Sequence, residues 1–490
     1  MPLPQLPPEI VGMILDYAMP SATTDANRLD VYFTRTREQT HDRALATLAH
    51  SAGRNWLGLA RTLLWHDVHV GSTRRADKLL EALKLELPRT PESKGYLAPL
   101  VQRLQLDIRE RHLPLHQDID TVHFDGILPR QNVDLANALP HVESLAINIS
   151  VAGGWLSQTD MFHAIDAIVR RPCFKHLEIT TTELGFRNAF AIFGESPQLN
   201  TLKLRGLQPS GTLLLTRHIF RDEDARLLAA RRTNLSVPCP FSSTLTQVVL
   251  WECRLLPQEL SELCSSSLSS LKHLVIHRLD TISFDGSSIA FPTAVLVTTL
   301  TPLVQQLEHL HVVLSASPRL DSPSIPFALD VLSTQFSNRL KTLVIGGPGL
   351  FSIPTLFDHF DQLGDAFRPS VLTFTQCAFR DNPRGASSGL KASQLVDALD
   401  HEWTREIELL DVEGMTDEGE EREKSWTTND VERLKDKVRD VNAERAHAFG
   451  RKPIEFRWDE GLEEREREER EWEESRRNRN RRSTRGRNRR

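Results

Sequence analysis

The chain has 490 residues, of which 39% are hydrophobic and 26% are charged, and its formal net charge is −6. This length is sufficient for two or three domains with a sizeable buried core. The charge is unevenly distributed, because nine of the last fifteen residues (476–490) are arginine and none is acidic. The net charge therefore predicts little about binding partners.

Several protein classes are excluded. No basic segment followed by an apolar run opens the chain, so we expect no secretory signal. The longest uncharged stretch, 286–307, contains two prolines and many hydroxyl residues, unlike a membrane span of about 20 apolar residues. The five cysteines form no CxxC pair, which argues against a disulfide framework or a structural zinc site. We expect reduced thiols, no bound metal or cofactor, and a cytoplasmic and/or nuclear location.

The first seventy residues predict a set of short helices followed by a strand. Prolines and Glu9 suit a first helical turn, and the apolar residues of 10–17 recur at helical spacing. A second helical segment spans about 43–64, and residues 64–70 alternate like a short strand. A few short helices cannot form a stable core by themselves. They must therefore pack on the rest of the chain or on a partner.

This segment resembles an F-box, a three-helix module. The elements of the family pattern occur in order, as Leu6-Pro7 with Glu9-Ile10 and Ile14, Leu45 with Leu48, Arg54 with Trp56 and Leu59, and Leu63-Leu64-Trp65 with Val68. Two features depart from the pattern: the segment between the first two elements is long, and Gly53 replaces the usual cysteine. The alternative is an ordinary amphipathic helical cap on the next domain.

The resemblance implies that this module binds a Skp-type adaptor, which in turn joins a cullin scaffold. By resemblance, the adaptor-binding residues are Leu6, Pro7, Pro8, Glu9, Ile10, Ile14, Leu15, Leu48, Trp56, Leu59 and Leu63. Apolar helices that cannot close on themselves are expected to bind a partner's helices through a mostly hydrophobic face.

A repeated pattern follows in the middle of the chain. The pattern apolar-x-x-apolar-x-apolar, with two polar residues in the gap, occurs more often than chance predicts, at 101–106, 142–147, 174–179, 199–204, 245–250, 271–276, 307–312 and 340–345, with weaker copies at 372–374 and 410–412. A single strand-plus-helix unit cannot bury its leucine face, so neighbouring units must stack.

This region resembles a divergent leucine-rich-repeat array, similar to those that follow many F-boxes, notably in fungi. Its windows recur at longer and less regular intervals than the roughly 20–29 residues of that family. The predicted fold is therefore α/β, with a three-helix F-box, an irregular leucine-rich-repeat solenoid, and a charged C-terminal tail that is partly helical and partly disordered. The alternative is a non-repetitive α/β domain.

The predicted boundaries are 1–70 for the F-box-like module, 71–98 for a connecting helix or linker, 99–415 for the repeats and 416–490 for the tail. Within the tail, residues 426–446 predict one amphipathic helix with Val431, Leu434, Val438 and Val441 on its apolar stripe. The arginine-rich end predicts a disordered segment, for which a nuclear import signal, a nucleic-acid contact and a solvated tail all remain open.

Strand alternation predicts which side chains face a target protein. In each window the last two apolar residues point into the core, so the residues flanking and between them face the opposite, concave surface. The predicted target-binding residues are Arg103, Gln105, His176, Lys203, Arg205, Trp251, His273, His309 and His311.

Trp251 and the histidines are the most informative members of this set. Trp251 is predicted to be an exposed aromatic residue that anchors an interface. His273 and His309 hold the same position in successive repeats, where solvated surface, partner contact, pH-sensitive contact and metal binding all remain open. We predict no catalytic residue, because the chain contains no phosphate-binding glycine loop, Gly-x-Ser-x-Gly motif or His-Glu-x-x-His motif.

The predicted function is substrate recognition for a ubiquitin ligase of the cullin-RING (SCF) type, with catalysis on other subunits and an unknown target protein. Two alternatives remain: an interaction scaffold without ubiquitin transfer, and an RNA-associated protein that acts through the arginine-rich tail. A nucleic-acid partner is less favoured, and no membrane partner is predicted.

Overall fold

The computed structural model describes residues 65–85, 98–109, 129–150, 167–181, 198–208, 244–266, 269–282, 288–314, 335–346, 353–364, 367–375, 392–413, 428–447 and 451–458. The helices predicted before residue 65 and the arginine-rich end lie outside these residues. The fold is mixed α/β with parallel sheet, and it divides into two compact units, Met1–Thr299 and Leu300–Arg490.

The first unit contains seven parallel strands that neighbour one another in chain order. They are β1 (Asp67–Val70), β2 (Arg103–Arg109), β3 (Ser144–Ser150), β4 (His176–Thr181), β5 (Thr201–Arg205), β6 (Gln247–Trp251) and β7 (His273–His277). A small antiparallel pair follows, formed by β8 (Asp280–Ile282) and β9 (Ser288–Ala290). The helices are α1 (Thr73–Leu85), a 3-10 turn (Ala98–Leu100), α2 (Pro129–Ala138) and α3 (Pro257–Ser266).

Helix α4 (Thr293–Val304) contains the boundary between the units. The second unit has five parallel strands in chain order, β10 (His309–Val313), β11 (Thr342–Gly346), β12 (Val371–Thr375), β13 (Leu409–Glu413) and β14 (Glu455–Trp458). Its helices are α5 (Ile353–Leu363), α6 (Ala392–Ala398), a 3-10 helix (Glu402–Glu406) and α7 (Thr428–His447). No helix in the described ranges is long and apolar enough to cross a bilayer.

All ten predicted windows form parallel strands, from β2 to β7 and from β10 to β13, which confirms the prediction of a strand at each of them. The two apolar side chains of every strand that were expected in the core are at most 2% exposed, as in Leu104 and Leu106 of β2. Each such buried leucine contributes about 1.5–3 kcal/mol relative to an exposed one. These twenty side chains therefore supply much of the stabilisation of both units.

A repeated backbone arrangement fixes the register at the start of the strands. The amides of Glu143 and Ser144 both donate to the carbonyl of Gln102, at 2.9 and 3.1 Å. The same sharing recurs one strand later, where the amides of Lys175 and His176 donate to the carbonyl of Glu143. Later strands repeat it with acceptor carbonyls of Lys175, Asn200, Thr246, Glu308, Lys341 and Ser370. Because each strand starts on the preceding one, equivalent side chains line up across each sheet.

One glycine permits a close approach between two strands of the second unit. A Cβ added at Gly346, the last residue of β11, would lie 2.2 Å from the backbone oxygen of Thr375 at the end of β12. It would also lie 2.6 Å from Cγ2 of the Thr375 side chain. Glycine is therefore the residue that fits the end of β11 without displacing its neighbour.

Helix α7 confirms the amphipathic helix predicted over 426–446. Val431, Leu434 and Val438 are buried, and Val441 on the same stripe is half-buried. The strand β14 that follows was not anticipated from the sequence. Asn442 of α7 holds its start, because the Asn442 side chain donates to the carbonyl of Ile454 at 3.0 Å and accepts from the Ile454 amide at 2.6 Å.

A buried arginine attaches α7 to the preceding 3-10 helix. The guanidinium of Arg445 donates to the carbonyls of Thr404 and Ile407, both at 2.7 Å, and to that of Lys452 at 3.2 Å. Burial lowers the pKa of Arg445 below its usual value. The three carbonyls accept hydrogen bonds from the guanidinium, and a buried cation needs such acceptors to offset the loss of its hydration.

Replacing Arg445 by methionine is expected to loosen the C-terminal end of the second unit. The change leaves three carbonyls without their donor, and the free energy of unfolding should fall by about 2–4 kcal/mol. Hydrogen exchange of the β13 amides would measure the effect. The control is Arg439→Met, because Arg439 is exposed on the same helix and pairs with Asp436 at 2.9 Å. Equal protection in the two variants would show that the Arg445 contacts do not stabilise the unit.

Candidate functional site

The face of each sheet opposite the core residues is the candidate binding face, and it consists of three rows. Row A holds the first residue of each strand, row B the third and row C the fifth. In the first unit, strand register brings together Arg103, Ser144, His176, Thr201, Gln247 and His273 in row A, Gln105, Ala146, Glu178, Lys203, Val249 and Val275 in row B, and Asp107, Asn148, Thr180, Arg205, Trp251 and His277 in row C.

Row A contains the most accessible of the predicted target-binding residues. The Arg103 side chain is 61% exposed and lies 3.7 Å from Asp67 of β1. His176 is also exposed, and His273 is half-buried at the same row position on β7. Row A therefore offers a cationic group and imidazoles to a partner protein.

His176 lies among cations. Burial lowers its pKa, and the positive charges of Arg103, Lys175 and Lys203 lower it further, while Glu143 raises it. Its imidazole is therefore neutral at pH 7, so it can both donate and accept a hydrogen bond.

Row B changes from polar to apolar across the sheet. Lys203 lies 4.0 Å from Glu178 on the neighbouring strand, and burial lowers the pKa of Lys203 although Glu178 opposes that change. Gln105 is half-buried at the polar end of this row, and Val249 and Val275 at the other end are fully buried. The polar end of row B is therefore the part that extends the row A surface.

Row C corrects the expectation for Trp251, which is 4% exposed rather than an open aromatic anchor. Its indole stacks on the imidazole of His277, with ring centroids 3.7 Å apart and planes 8° from parallel. Val249 and Val275 join it in one apolar cluster. The physical reason is that Trp251 has a ring partner directly across the ladder, so its surface is used within the sheet.

The thiol that follows this strand is also structural. Cys253 is fully buried and donates to the carbonyl of Leu204 at 3.3 Å. Burial raises the pKa of the Cys253 thiol to about 12, and that of Cys264 also to about 12. Both thiols stay protonated near neutral pH, as expected for buried cysteines that act as small apolar residues.

The second unit corrects the expectation for a second residue. His309 of row A is half-buried, but His311 of row B is 0% exposed. The β11 neighbour of His311 in the register is Val344, which is also buried. His311 therefore lies in a row whose side chains are covered, and it is removed from the surface offered to a target.

The sequence reasoning named Arg205 but missed the charged group that it forms with Glu252 and Arg278 at the strand ends. Arg205 closes β5, and Nε and Nη2 of its guanidinium each lie 3.4 Å from Oε2 of Glu252, the residue after β6. Arg278, the residue after β7, lies 3.8 Å from the other oxygen of Glu252. We call these three residues the strand-end triad. The sequence does contain a signal for this group. Its three residues lie at or just beyond the ends of consecutive strands, so strand register brings them near one another.

The predicted adaptor-binding residues lie outside the described part of the chain, and their role stays a prediction; they are Leu6, Pro7, Pro8, Glu9, Ile10, Ile14, Leu15, Leu48, Trp56, Leu59 and Leu63. Among the residues that the structure describes, no group of three or more histidine, cysteine, aspartate or glutamate side chains is arranged to hold a metal ion.

Replacing Trp251 by alanine is expected to lower the free energy of unfolding of the first unit by about 3–5 kcal/mol, the usual cost of removing a buried tryptophan. Urea denaturation would measure the loss of stability, and hydrogen exchange of the β6 and β7 amides would locate it. His176→Ala in exposed row A is the control and should change stability by no more than about 0.5 kcal/mol. An unchanged stability for Trp251→Ala would contradict the structural role of the stack.

The pH dependence of stability should reflect His176. In the unfolded chain a histidine binds its proton near pH 6.5, whereas the folded His176 binds it only at lower pH. The unfolded state thus binds more protons just below pH 6.5, so stability falls as the pH falls through this window. Melting temperatures at pH 7 and pH 5 should differ less for His176→Gln than for the wild type; equal differences would refute the assignment.

Comparison with known proteins does not identify a family for this chain. No family model and no curated protein matches the chain. Among solved structures, a crystal structure of the Rad7 and Elc1 complex from yeast matches with a TM-score of 0.37 and 12% identity, covering 82% of this chain and 90% of that one. A similarity of this size does not establish a shared fold, so the function has to be argued from the residues and the geometry.

Proposed function

We propose that the chain is a non-catalytic recognition subunit of a cullin-RING ubiquitin ligase of the SCF type. The F-box-like module of residues 1–70 binds a Skp-type adaptor, and a leucine-rich-repeat-like array binds a target protein. Other subunits carry out the ubiquitin transfer, and this chain acts by holding the target near them.

The observation that carries the proposal is the position of β1. This strand is the predicted exit of the F-box-like segment, and it is also the first strand of the sheet, with Asp67 opposite Arg103 in the register. The amide of Gln102 donates to the carbonyl of His66 at 3.1 Å, and Nε2 of the His66 ring lies 2.9 Å from the Gln102 side-chain oxygen. An adaptor-bound module that ends in this strand would hold the binding face in a fixed orientation.

The repeats support the second half of the proposal. Ten strands carry the same two buried side chains, and eight of them start on a shared carbonyl of the preceding strand. Together they build an extended parallel sheet in each unit. Repeated strand-plus-helix units of this kind use the face opposite their core to bind proteins. In this chain, row A and the polar part of row B provide the accessible surface.

The adaptor half is tested by the double variant Leu6→Ala/Pro7→Ala. It should weaken adaptor binding at least about tenfold, because the loss of roughly 1.4 kcal/mol of apolar contact already has that effect. Binding would be measured by titration of the full chain with purified adaptor. The matched control is Leu3→Ala/Pro4→Ala, which makes the same chemical change three residues earlier, outside the family pattern.

The two variants should melt at the same temperature as the wild type, since neither changes the repeats. Equal adaptor affinity for both variants and the wild type would refute the F-box assignment. A cullin that co-purifies with the adaptor supports the ligase function, whereas adaptor binding without a cullin would leave the interaction scaffold as the function.

A further inference from the structure

We propose that the strand-end triad of Arg205, Glu252 and Arg278 is the place where the array recognises an acidic side chain of its target protein. This inference rests on the proposed function, because it names the chemistry of the target. The carboxylate of Glu252 occupies the position between the two guanidinium groups, and an aspartate or glutamate of the target replaces it there.

The distances show that the triad is loosely closed. Well-formed hydrogen bonds between a guanidinium and a carboxylate are about 2.7–2.9 Å long. Here Glu252 lies 3.4 Å from Arg205 and 3.8 Å from Arg278, and the three side chains are 32–47% exposed. The Glu252 carboxylate thus lies between two guanidinium groups without forming a short hydrogen bond to either. A better-placed carboxylate can therefore replace Glu252, since arginine binds carboxylates through two parallel donors.

The backbone gives a second, independent reason. The residue after each of β5, β6 and β7 has a positive φ, at 72° for Gly206, 51° for Glu252 and 54° for Arg278. Glycine adopts this conformation without cost, whereas other residues pay for it in strain. In the described residues, Glu252 and Arg278 are the non-glycine residues with positive φ. Glycine would satisfy the turn, so we infer that the Glu252 and Arg278 side chains serve another purpose at these strained positions.

The triad stands on a rigid support. Arg205 is directly opposite Trp251 in the register, and Trp251 is opposite His277. The stacked indole and imidazole rings fix the ends of β6 and β7, and the amide of Glu252 donates to the carbonyl of His277 at 2.7 Å. The two guanidinium groups are therefore held on ordered strand ends. Such preorganisation lowers the entropic cost of binding.

The neighbouring charges favour a protein carboxylate over a polyanion. Arg254 on the same edge donates to Gln208 at 3.4 Å, and Asp280 pairs with the backbone of Arg254 in an isolated bridge. This part of the chain thus contains two acids, Glu252 and Asp280, as well as three arginines. A nucleic acid would bring several phosphates against these two acids, whereas a single carboxylate has only Glu252 to displace.

The test uses the full chain and a phage-displayed library of random twelve-residue peptides. We expect the selected peptides to share an aspartate or glutamate. A synthetic copy of the best peptide should bind at least about tenfold more tightly than the same peptide with that residue changed to asparagine or glutamine. Selection of no peptide, or of peptides without a shared acid, overturns the proposal.

Three variants locate the binding on the triad. Glu252→Gln removes the internal competitor and should strengthen binding of the acidic peptide severalfold, whereas Arg205→Lys and Arg278→Lys should each weaken it severalfold. Arg339→Lys, at an exposed arginine of the second unit, is the matched control and should change nothing. Equal affinities for all four variants would place the peptide elsewhere and overturn the proposal.

Two further measurements separate this inference from its alternatives. Stronger competition by a uridine oligonucleotide or by inorganic phosphate than by the acidic peptide would contradict the carboxylate assignment. Adaptor binding is measured on the same preparations. If the peptide does not bind but the adaptor does, only the proposed role of the triad is refuted. If the peptide binds but the adaptor does not, the ligase function is refuted and the proposed role of the triad remains.

Discussion

The sheets of both units depend on the way each strand begins on its predecessor. Two consecutive amides donate to one carbonyl of the preceding strand, as Glu143 and Ser144 do to Gln102, and the arrangement recurs in both units. Because the register is fixed at the first residue, the two apolar side chains of every strand reach the same core layer. Insertions of different length between the strands do not disturb this alignment, since they leave the strand start unchanged.

The same alignment limits where function can lie. Side chains opposite the core form three rows, but the apolar ends of rows B and C are buried, and Trp251 is used in a stack with His277. On this face of the first unit, row A and the strand-end triad carry accessible charged groups. The proposed recognition surface therefore lies at the two edges of the face rather than in its centre.

The C-terminal part of the second unit shows how a terminal repeat is completed. Helix α7 packs against α6 and buries Val431 and Leu434, and the buried Arg445 joins it to the preceding 3-10 helix. Strand β14 then extends the sheet beyond β13. A charged helix with a narrow apolar stripe thus connects the last two strands of the described sheet.

The sequence alone determined the strands of the ten windows and helix α7, because both follow from local periodicity. Burial of every second residue in a strand is a short-range pattern, and so is the stripe of α7. Only the tertiary structure decided that Trp251 and His311 are covered, that β14 joins the sheet, and that Glu252 lies between Arg205 and Arg278. A periodic pattern gives the side of a strand that a residue takes, but what covers that side depends on residues distant in the chain.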